Sequence, residues 1–184
     1  TALMIAETGF DPQASQDLYS NTINREIFDA LYQYDYLARP HRIVPRVADG
    51  MPEISADGLT WKIKVRKGIY FADDPVFKGK KRELTAHDFV YSFKRIADPK
   101  TKSPSFSSLN EEKFVGLSAL RKAAEQPGAK FDFDTEIEGI RALDRYTIQF
   151  KLEEPRPRFL YSLADGSIVG AVAREVVEKY GDKI

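Results

Sequence analysis

The sequence predicts an α/β fold. An alternation of apolar and basic residues that starts at Trp61 predicts a half-buried strand, and a capped apolar segment after Thr85 predicts a helix. A second alternating run from Tyr146 predicts one strand of a hairpin. A strand, a connecting loop and a capped helix in this order form the central unit of the predicted fold.

The strand near the middle of the chain has the clearest local pattern. Trp61, Ile63 and Val65 alternate with three basic residues, which places the apolar side chains on one face. Turn signals that end in Gly58 and Gly68 flank the run. We therefore expect a strand from Trp61 to Arg66 with its apolar face in the core.

The helix after this strand has both a start and a stop signal. Thr85 is a favourable N-cap, and Asp88 three residues later completes an arrangement like a capping box. Pro99 blocks continuation of the helix. Its predicted apolar face consists of Phe89, Phe93, Ile96 and Ala97.

Periodicity predicts the remaining elements with weaker signals. They are a strand at Ala2–Ala6, a helix from about Ser20 to Tyr32 with Ile23, Ile27, Phe28 and Leu31 on one face, a short pairing of Val47-Ala48 with Glu53-Ile54, a helix capped by Asn110 and ended by Gln126–Gly128, a hairpin of strands near Ile137–Ile140 and Tyr146–Leu152, and a helix from Ala173 to Tyr180 closed by Gly181. The loop Asp73–Arg82 and Arg95 carry basic residues that we expect to be solvated.

The composition excludes several classes of function. The chain has 184 residues, enough for one domain with a core. Lys and Arg number 28 and Asp and Glu number 28, a balance that argues against a nucleic-acid or anionic-membrane partner. Cysteine is absent, which excludes disulfides and thiol chemistry. The aromatic residues are interpreted as core, with the alternative that several line a cleft.

Catalytic and metal-binding motifs give no supported assignment. His87-Asp88 has no second histidine at helical spacing, so it does not match a zinc site. The acidic pairs Asp73-Asp74 and Glu153-Glu154 could form a hydrolase dyad, but carboxylates beside turns are usually solvated. We expect no enzyme activity, no cofactor and no metal.

Six motifs in a fixed order resemble the bacterial extracellular solute-binding proteins of family 5, the oligopeptide and dipeptide receptors of ABC importers. They are ETGFDP (Glu7–Pro12), REIFDALY (Arg25–Tyr32), DGLTWKIKVRKGIYFADD (Asp57–Asp74), LTAHDFVYSFKRIADP (Leu84–Pro99), LDRYTIQFKLEEPRP (Leu143–Pro157) and VVEKYGD (Val176–Asp182). The resemblance extends over nearly the whole chain.

The resemblance implies a fold and an organisation. Such receptors have the periplasmic-binding-protein-like class II fold, with two lobes around a cleft. They are several times longer than this chain, which we therefore interpret as an N-terminal fragment. Residues 1–29 and 173–184 would belong to an incomplete first lobe, residues 30–172 would form an inserted small α+β subdomain, and the second lobe would be absent.

The resemblance also implies a function. The chain would be part of a periplasmic or extracellular receptor that captures peptides or related small solutes and delivers them to the membrane permease of an ABC importer, with which it would associate at the membrane. Peptide main chains are held in such receptors by strand-like hydrogen bonds between the lobes. Two alternatives remain open at this point, a small hydrolase that uses the acidic pairs and a stand-alone interaction module.

Candidate ligand contacts follow from the same resemblance. The segment Gln13–Ser20 lies between two matched motifs, and in peptide-binding relatives it runs along the cleft. Its acidic contact position is Gln16 here, which cannot neutralise a positive charge on the ligand. The other predicted contacts are Leu18, Tyr19, Ser105 and Phe106, the last two at a loop where relatives place a tyrosine. We expect all of these residues to converge on one concave face.

Overall fold

An antiparallel four-stranded sheet with one long helix packed against it forms the centre of the computed structural model, which describes residues 9–15 and 17–181. The predicted strand Ala2–Ala6 lies outside the described residues. The strands are β1 (Tyr32–Tyr34), β2 (Ile43–Pro45), β3 (Glu53–Ile54), β4 (Thr60–Lys64), β5 (Ile140–Asp144) and β6 (Thr147–Lys151). The helices are α1 (Leu18–Ile27), α2 (Ala86–Ala97), α3 (Phe106–Glu111), α4 (Leu117–Ala124), α5 (Phe159–Ser162), α6 (Gly166–Val169) and α7 (Arg174–Tyr180), with a 3₁₀ turn at Pro75–Phe77.

The central sheet has the strand order β3-β4-β6-β5 and confirms the alternation predicted around Trp61. Trp61 lies opposite Phe150, and Ile63 lies opposite Ile148. Trp61, Ile63 and Val65 are at most 5% exposed, whereas the basic residues between them are exposed. The predicted hairpin is formed by β5 and β6, but β5 starts at Ile140, where the predicted first strand ends.

Helix α2 packs on β5 and β6 and begins as predicted. The Asp88 carboxylate accepts hydrogen bonds from the backbone N–H and the hydroxyl of Thr85, at 2.7 and 2.9 Å. The helix is buried on nearly all sides, including its polar residues Ser92, Lys94 and Arg95. It is therefore the central helix of the fold rather than a surface helix with one apolar face.

Four phenylalanine rings fill the space between α2, the sheet, the loop before α4 and the start of α5. Ring centroids of Phe93 and Phe150 are 5.0 Å apart, and those of Phe114 and Phe159 are 5.5 Å apart, in tilted and edge-to-face geometries. Trp61 stacks edge-on against Phe159 at 5.1 Å. All four phenylalanines are at most 2% exposed, so these four rings belong to the core.

The predicted helix from Ser20 to Tyr32 is wrong at both its end and its face. Helix α1 stops at Ile27, because the carbonyl of Leu31 instead accepts hydrogen bonds from the N–H groups of residues 46 to 48 and Tyr32 pairs in β1. The buried residues of α1 are Ser20 and Asn24, while Ile27 is 56% exposed. Tertiary hydrogen bonds thus outweigh the helical periodicity of this segment.

Two further secondary-structure predictions need correction. Asn110 lies inside α3 and does not cap a helix, and α4 starts after Gly116, whose φ of 84° suits glycine. The segment that contains Val47-Ala48 does not pair with Glu53-Ile54. Ala48 bridges to Val65, and β3 pairs with β4.

The C-terminal helix agrees with its prediction. Helix α7 runs from Arg174 to Tyr180, and its C-cap Gly181 has a φ of 56°.

Gly166, the first residue of α6, lets α6 approach the chain after α1, because a Cβ at residue 166 would lie 2.2 Å from the carbonyl oxygen of Phe28. None of the helices in the described ranges combines the length and hydropathy needed to cross a bilayer.

Candidate ligand-binding site

The segment that precedes α1 is a turn held by its own backbone. The Asp11 carbonyl accepts hydrogen bonds from the N–H groups of Ala14 and Ser15 at 3.1 and 2.9 Å, and the Asp11 carboxylate accepts one from the N–H of Gln13 at 3.0 Å. Asp17 then caps α1 by accepting a hydrogen bond from the N–H of Ser20 at 2.8 Å. The backbone on both sides of residue 16 is therefore ordered by short-range contacts.

The first group of predicted contact residues lies at the start of α1. Gln16 itself is outside the described residues. Leu18 is the first residue of the helix and is 70% exposed, and Tyr19 is half-buried. An exposed leucine at a helix start is available for an apolar contact, as the sequence predicts for this position.

The second group lies at the start of α3. Ser105 precedes the helix, and its N–H donates a hydrogen bond to Ser103 Oγ at 3.3 Å. The guanidinium of Arg121 lies 3.8 Å from the ring centroid of Phe106. This cation–π contact covers one face of the Phe106 ring, so only the other face and the edge can contact a ligand.

The two groups are connected through α2 and α6. Helix α1 packs on α6, α3 packs on α2, and α2 also contacts α6. Leu18 and Ser105 thus lie on separate elements around the same central helix. Their convergence on one concave face stays a prediction.

Three cavities lie elsewhere on the described surface. An apolar one of about 340 Å³ lies between the end of α1, the segment 69–77 and α7. A charged one of about 330 Å³ lies beside α2 and β5, and a third of about 510 Å³ adjoins the β1–β2 hairpin. Of the predicted contact residues that the structure describes, Leu18, Tyr19, Ser105 and Phe106, none lines any of these three cavities.

The charged cavity contains the buried Lys94, whose ammonium group donates hydrogen bonds to the carbonyls of Phe133 and Thr135 at 2.9 and 2.8 Å. Burial lowers the pKa of Lys94, although nearby carboxylates such as Asp134 oppose this effect. The lysine therefore ties α2 to the segment before β5. Within the described residues, no cluster of three or more histidine and acidic side chains has the geometry of a metal site.

One residue of each acidic pair considered for hydrolysis, Asp74 and Glu154, has a local structural role. Asp74 accepts a hydrogen bond from the N–H of Val76 at 2.7 Å and so caps the 3₁₀ turn. Glu154 forms an ion pair with Arg156 at 2.6 Å, and its side chain is 56% exposed.

Two arginines that we expected to be solvated are instead held in ion pairs. Arg95 is 6% exposed and binds both carboxylate oxygens of Asp11. The side chain of Arg82 is 26% exposed and lies between Asp88 and Glu175. The expectation failed because the carboxylate partners lie far away in the sequence or on another element, where charge patterning along the chain does not reveal them.

The fold and the site together define the class of the protein. A mixed α/β unit with an ordered surface segment that leaves Leu18 exposed is compatible with a binding protein of the periplasmic receptor type. The family model of bacterial extracellular solute-binding proteins, family 5 Middle, matches residues 42–183. The chain belongs to this family of solute-binding proteins, which are not enzymes.

Known relatives support the assignment. The chain is similar to the periplasmic oligopeptide-binding protein OppA of Salmonella typhimurium, with 31% identity over 94% of this chain and 28% of the relative. The crystal structure of Haemophilus influenzae OppA in complex with RPPGFSPFR superposes with a TM-score of 0.75 at 25% identity, over 96% of this chain and 31% of that one. OppA of Burkholderia pseudomallei gives a TM-score of 0.71 at 31% identity, over 96% and 30%. The chain thus spans about three tenths of the length of these relatives.

Proposed function

We propose that this chain forms part of a receptor that captures peptides or related small solutes outside the cytoplasm and delivers them to the permease of an ABC importer. The observation that carries the proposal is the family match over residues 42–183, together with the structural similarity to a protein whose structure contains the peptide RPPGFSPFR. The Salmonella typhimurium relative is named as a periplasmic protein, which supports a periplasmic or extracellular location, and association with a membrane permease is the further step of the proposal.

The proposed contact surface consists of the segment Gln13–Ser20 and the start of α3. Its exposed Leu18 and the free face of Phe106 offer apolar contacts, and the surrounding backbone is ordered. An extended peptide bound here would rely on main-chain hydrogen bonds and a few side-chain contacts, which tolerate many peptide sequences. Such a surface buries only one side of a ligand, so we expect the 184-residue chain to bind peptides weakly.

The proposal includes a division of the chain. We assign residues 1–29 and 173–184 to one lobe and residues 30–172 to an inserted subdomain. The ion pair of Arg82 with Glu175 and that of Arg174 with Asp134 then join α7 to the subdomain.

Titration of the isotopically labelled chain with peptides, followed by backbone amide shifts in NMR spectra, tests the function. The probes are trialanine and RPPGFSPFR at millimolar concentration, with maltose as the non-peptide control. We expect saturable shifts at Leu18–Ser20 and Ser105–Phe106 with both peptides and none with maltose. Binding tighter than micromolar would contradict a shared cleft, and absence of peptide-induced shifts would contradict peptide recognition.

A further inference from the structure

Arg95 joins the candidate contact segment to the central helix. Its guanidinium donates hydrogen bonds to Asp11 Oδ1 at 2.9 Å, to Asp11 Oδ2 at 2.5 Å and to Gln13 Oε1 at 2.6 Å. The side chains of Arg95 and Asp11 are 7% and 16% exposed, and Gln13 is fully buried. A bidentate guanidinium–carboxylate pair fixes both the distance and the plane of the two groups.

Gln13 extends this connection to a third element. Its amide nitrogen donates hydrogen bonds to the carbonyls of Ile168 and Gly170, at 3.2 and 3.0 Å, at the end of α6. Both ends of the Gln13 amide are therefore used, one by α2 and one by α6. Helix α1 also packs on α6. The turn and the helix that follows it therefore both contact α6.

Hydrogen bonds of Ser15 connect the turn to helix α1. The Ser15 hydroxyl donates a hydrogen bond to the Asp11 carbonyl at 2.7 Å and accepts one from the Asn24 amide at 3.0 Å. Ser15 thus links the turn to the middle of α1. A shift of Asp11 would be passed through Ser15 to the helix that presents Leu18 and Tyr19.

We propose that Arg95 is a positioning residue for ligand recognition: it does not touch the ligand, but it holds the turn Asp11–Ser15, which precedes the helix that presents Leu18 and Tyr19. The inference rests on the proposed peptide-binding function. A guanidinium is required because its two Nη atoms donate three hydrogen bonds that hold two different residues of the turn. A lysine would keep the charge but lose the bidentate geometry.

The test compares Arg95→Met, Arg95→Lys and Gln13→Met with the unaltered chain. Arg82→Met is the matched control, because it also removes an arginine that is ion-paired to α2 but lies outside the turn. We measure peptide-induced amide shifts with trialanine, the midpoint of urea unfolding and the hydrogen-exchange rates of the Ala14 and Ser15 amides. The two amides report on the turn directly, since both donate to Asp11.

We expect Arg95→Met to weaken trialanine binding at least fivefold and to accelerate exchange at Ala14 and Ser15 at least tenfold. Arg95→Lys should recover part of the affinity, and Gln13→Met should weaken binding with Arg95 still present. Arg82→Met should lower the unfolding midpoint without changing the affinity of the folded chain. If Arg95→Met does not fold, the affinities of Arg95→Lys and Gln13→Met test the positioning role instead.

Three outcomes distinguish failure of the proposed function from failure of the role proposed for Arg95. If the unaltered chain shows no response to peptide, the proposed function is wrong. If the unaltered chain responds and the folded Arg95 and Gln13 variants respond with the same affinity, the function stands and the positioning role of Arg95 is wrong. If the Arg95 variants and Arg82→Met lose the same affinity, Arg95 affects binding only through the stability of the fold, and the positioning role is again wrong.

Discussion

Arg82 and Glu175 are 93 residues apart in the sequence, yet the Arg82 guanidinium donates two hydrogen bonds to the Glu175 carboxylate, at 2.6 Å from Nε and 3.3 Å from Nη2. The same guanidinium binds Asp88 of the capping box at 2.6 Å. Burial alone lowers the pKa of Arg82, but its hydrogen bonds to Glu175 and Asp88 outweigh this effect and raise it. One side chain thus joins the start of α2 to α7.

Replacement of Arg82 by methionine should lower the free energy of unfolding by about 3 kcal/mol. The Asp88 side chain is 3% exposed and would keep a buried charge without its cationic partner. Urea unfolding followed by circular dichroism measures the loss. Lys64→Met is the control, because the pair of Lys64 with Glu53 is exposed and its loss should cost less than about 0.5 kcal/mol. Equal effects of the two substitutions would refute the argument.

Replacement of Phe150 by alanine should cost about 4 kcal/mol of stability. Its ring is fully buried and contacts the rings of Phe93, Phe114 and Phe159 at 5.0, 5.8 and 5.4 Å. Thermal and urea unfolding both report the change. Tyr36→Ala removes an aromatic ring that is 88% exposed and should leave stability nearly unaltered. A loss below about 1 kcal/mol for Phe150→Ala would show that the cluster repacks.

Glu83 should make stability depend on acidic pH. Hydrogen bonds from the N–H of Gly68, from Arg145 and from the Tyr146 hydroxyl lower its pKa to about 2. Because the pKa is lower in the folded chain than in the unfolded chain, the ionised group stabilises the fold above about pH 4.5, and this contribution is lost as the pH falls toward 2.

The urea midpoint of the Glu83→Gln variant should therefore change less between pH 5 and pH 2 than that of the unaltered chain. The difference between the two changes is the pH-dependent stabilisation by the Glu83 carboxylate. The exposed Glu153 provides the control substitution, Glu153→Gln. Parallel midpoint curves for the Glu83 variant and the unaltered chain would contradict the assignment.

The Gln16→Glu substitution should shift ligand preference toward cationic peptides. The family resemblance places an acidic contact at this position, and a carboxylate can neutralise a positive charge that the amide of glutamine cannot. Competition between trilysine and trialanine, measured by amide shifts at two salt concentrations, reports the preference. Leu18→Ala should weaken the binding of both peptides equally. If Gln16→Glu leaves the ratio of the affinities for trilysine and trialanine unchanged, residue 16 does not contact the ligand.

Local patterns predicted the elements whose signals lie within a single segment, even where the pairing partner is distant, as for Trp61 opposite Phe150. The strand at Trp61 follows from alternation, and the start of α2 follows from Thr85 and Asp88, three residues apart. The end of α1 could not be predicted in this way, because it depends on hydrogen bonds from residues 46 to 48 to the Leu31 carbonyl. Periodicity describes a segment by itself and carries no information about such tertiary partners.

The candidate site shows the same limit. The family motifs indicated Leu18 and Phe106 as contact residues, but not that Arg121 covers one face of the Phe106 ring. Neither did they reveal the buried contacts of Gln13 with Arg95 and α6, since a glutamine in a polar loop has no local signal for burial.

The turn that begins at Asp11 has a consequence for the order of folding. Its tertiary partners are distant along the chain, with separations of 84 residues to Arg95 and 157 residues to Gly170. Closing loops of this length costs entropy before any contact can repay it. We expect the turn to become ordered after the transition state, so that Asp11→Asn accelerates unfolding and leaves the refolding rate nearly unchanged.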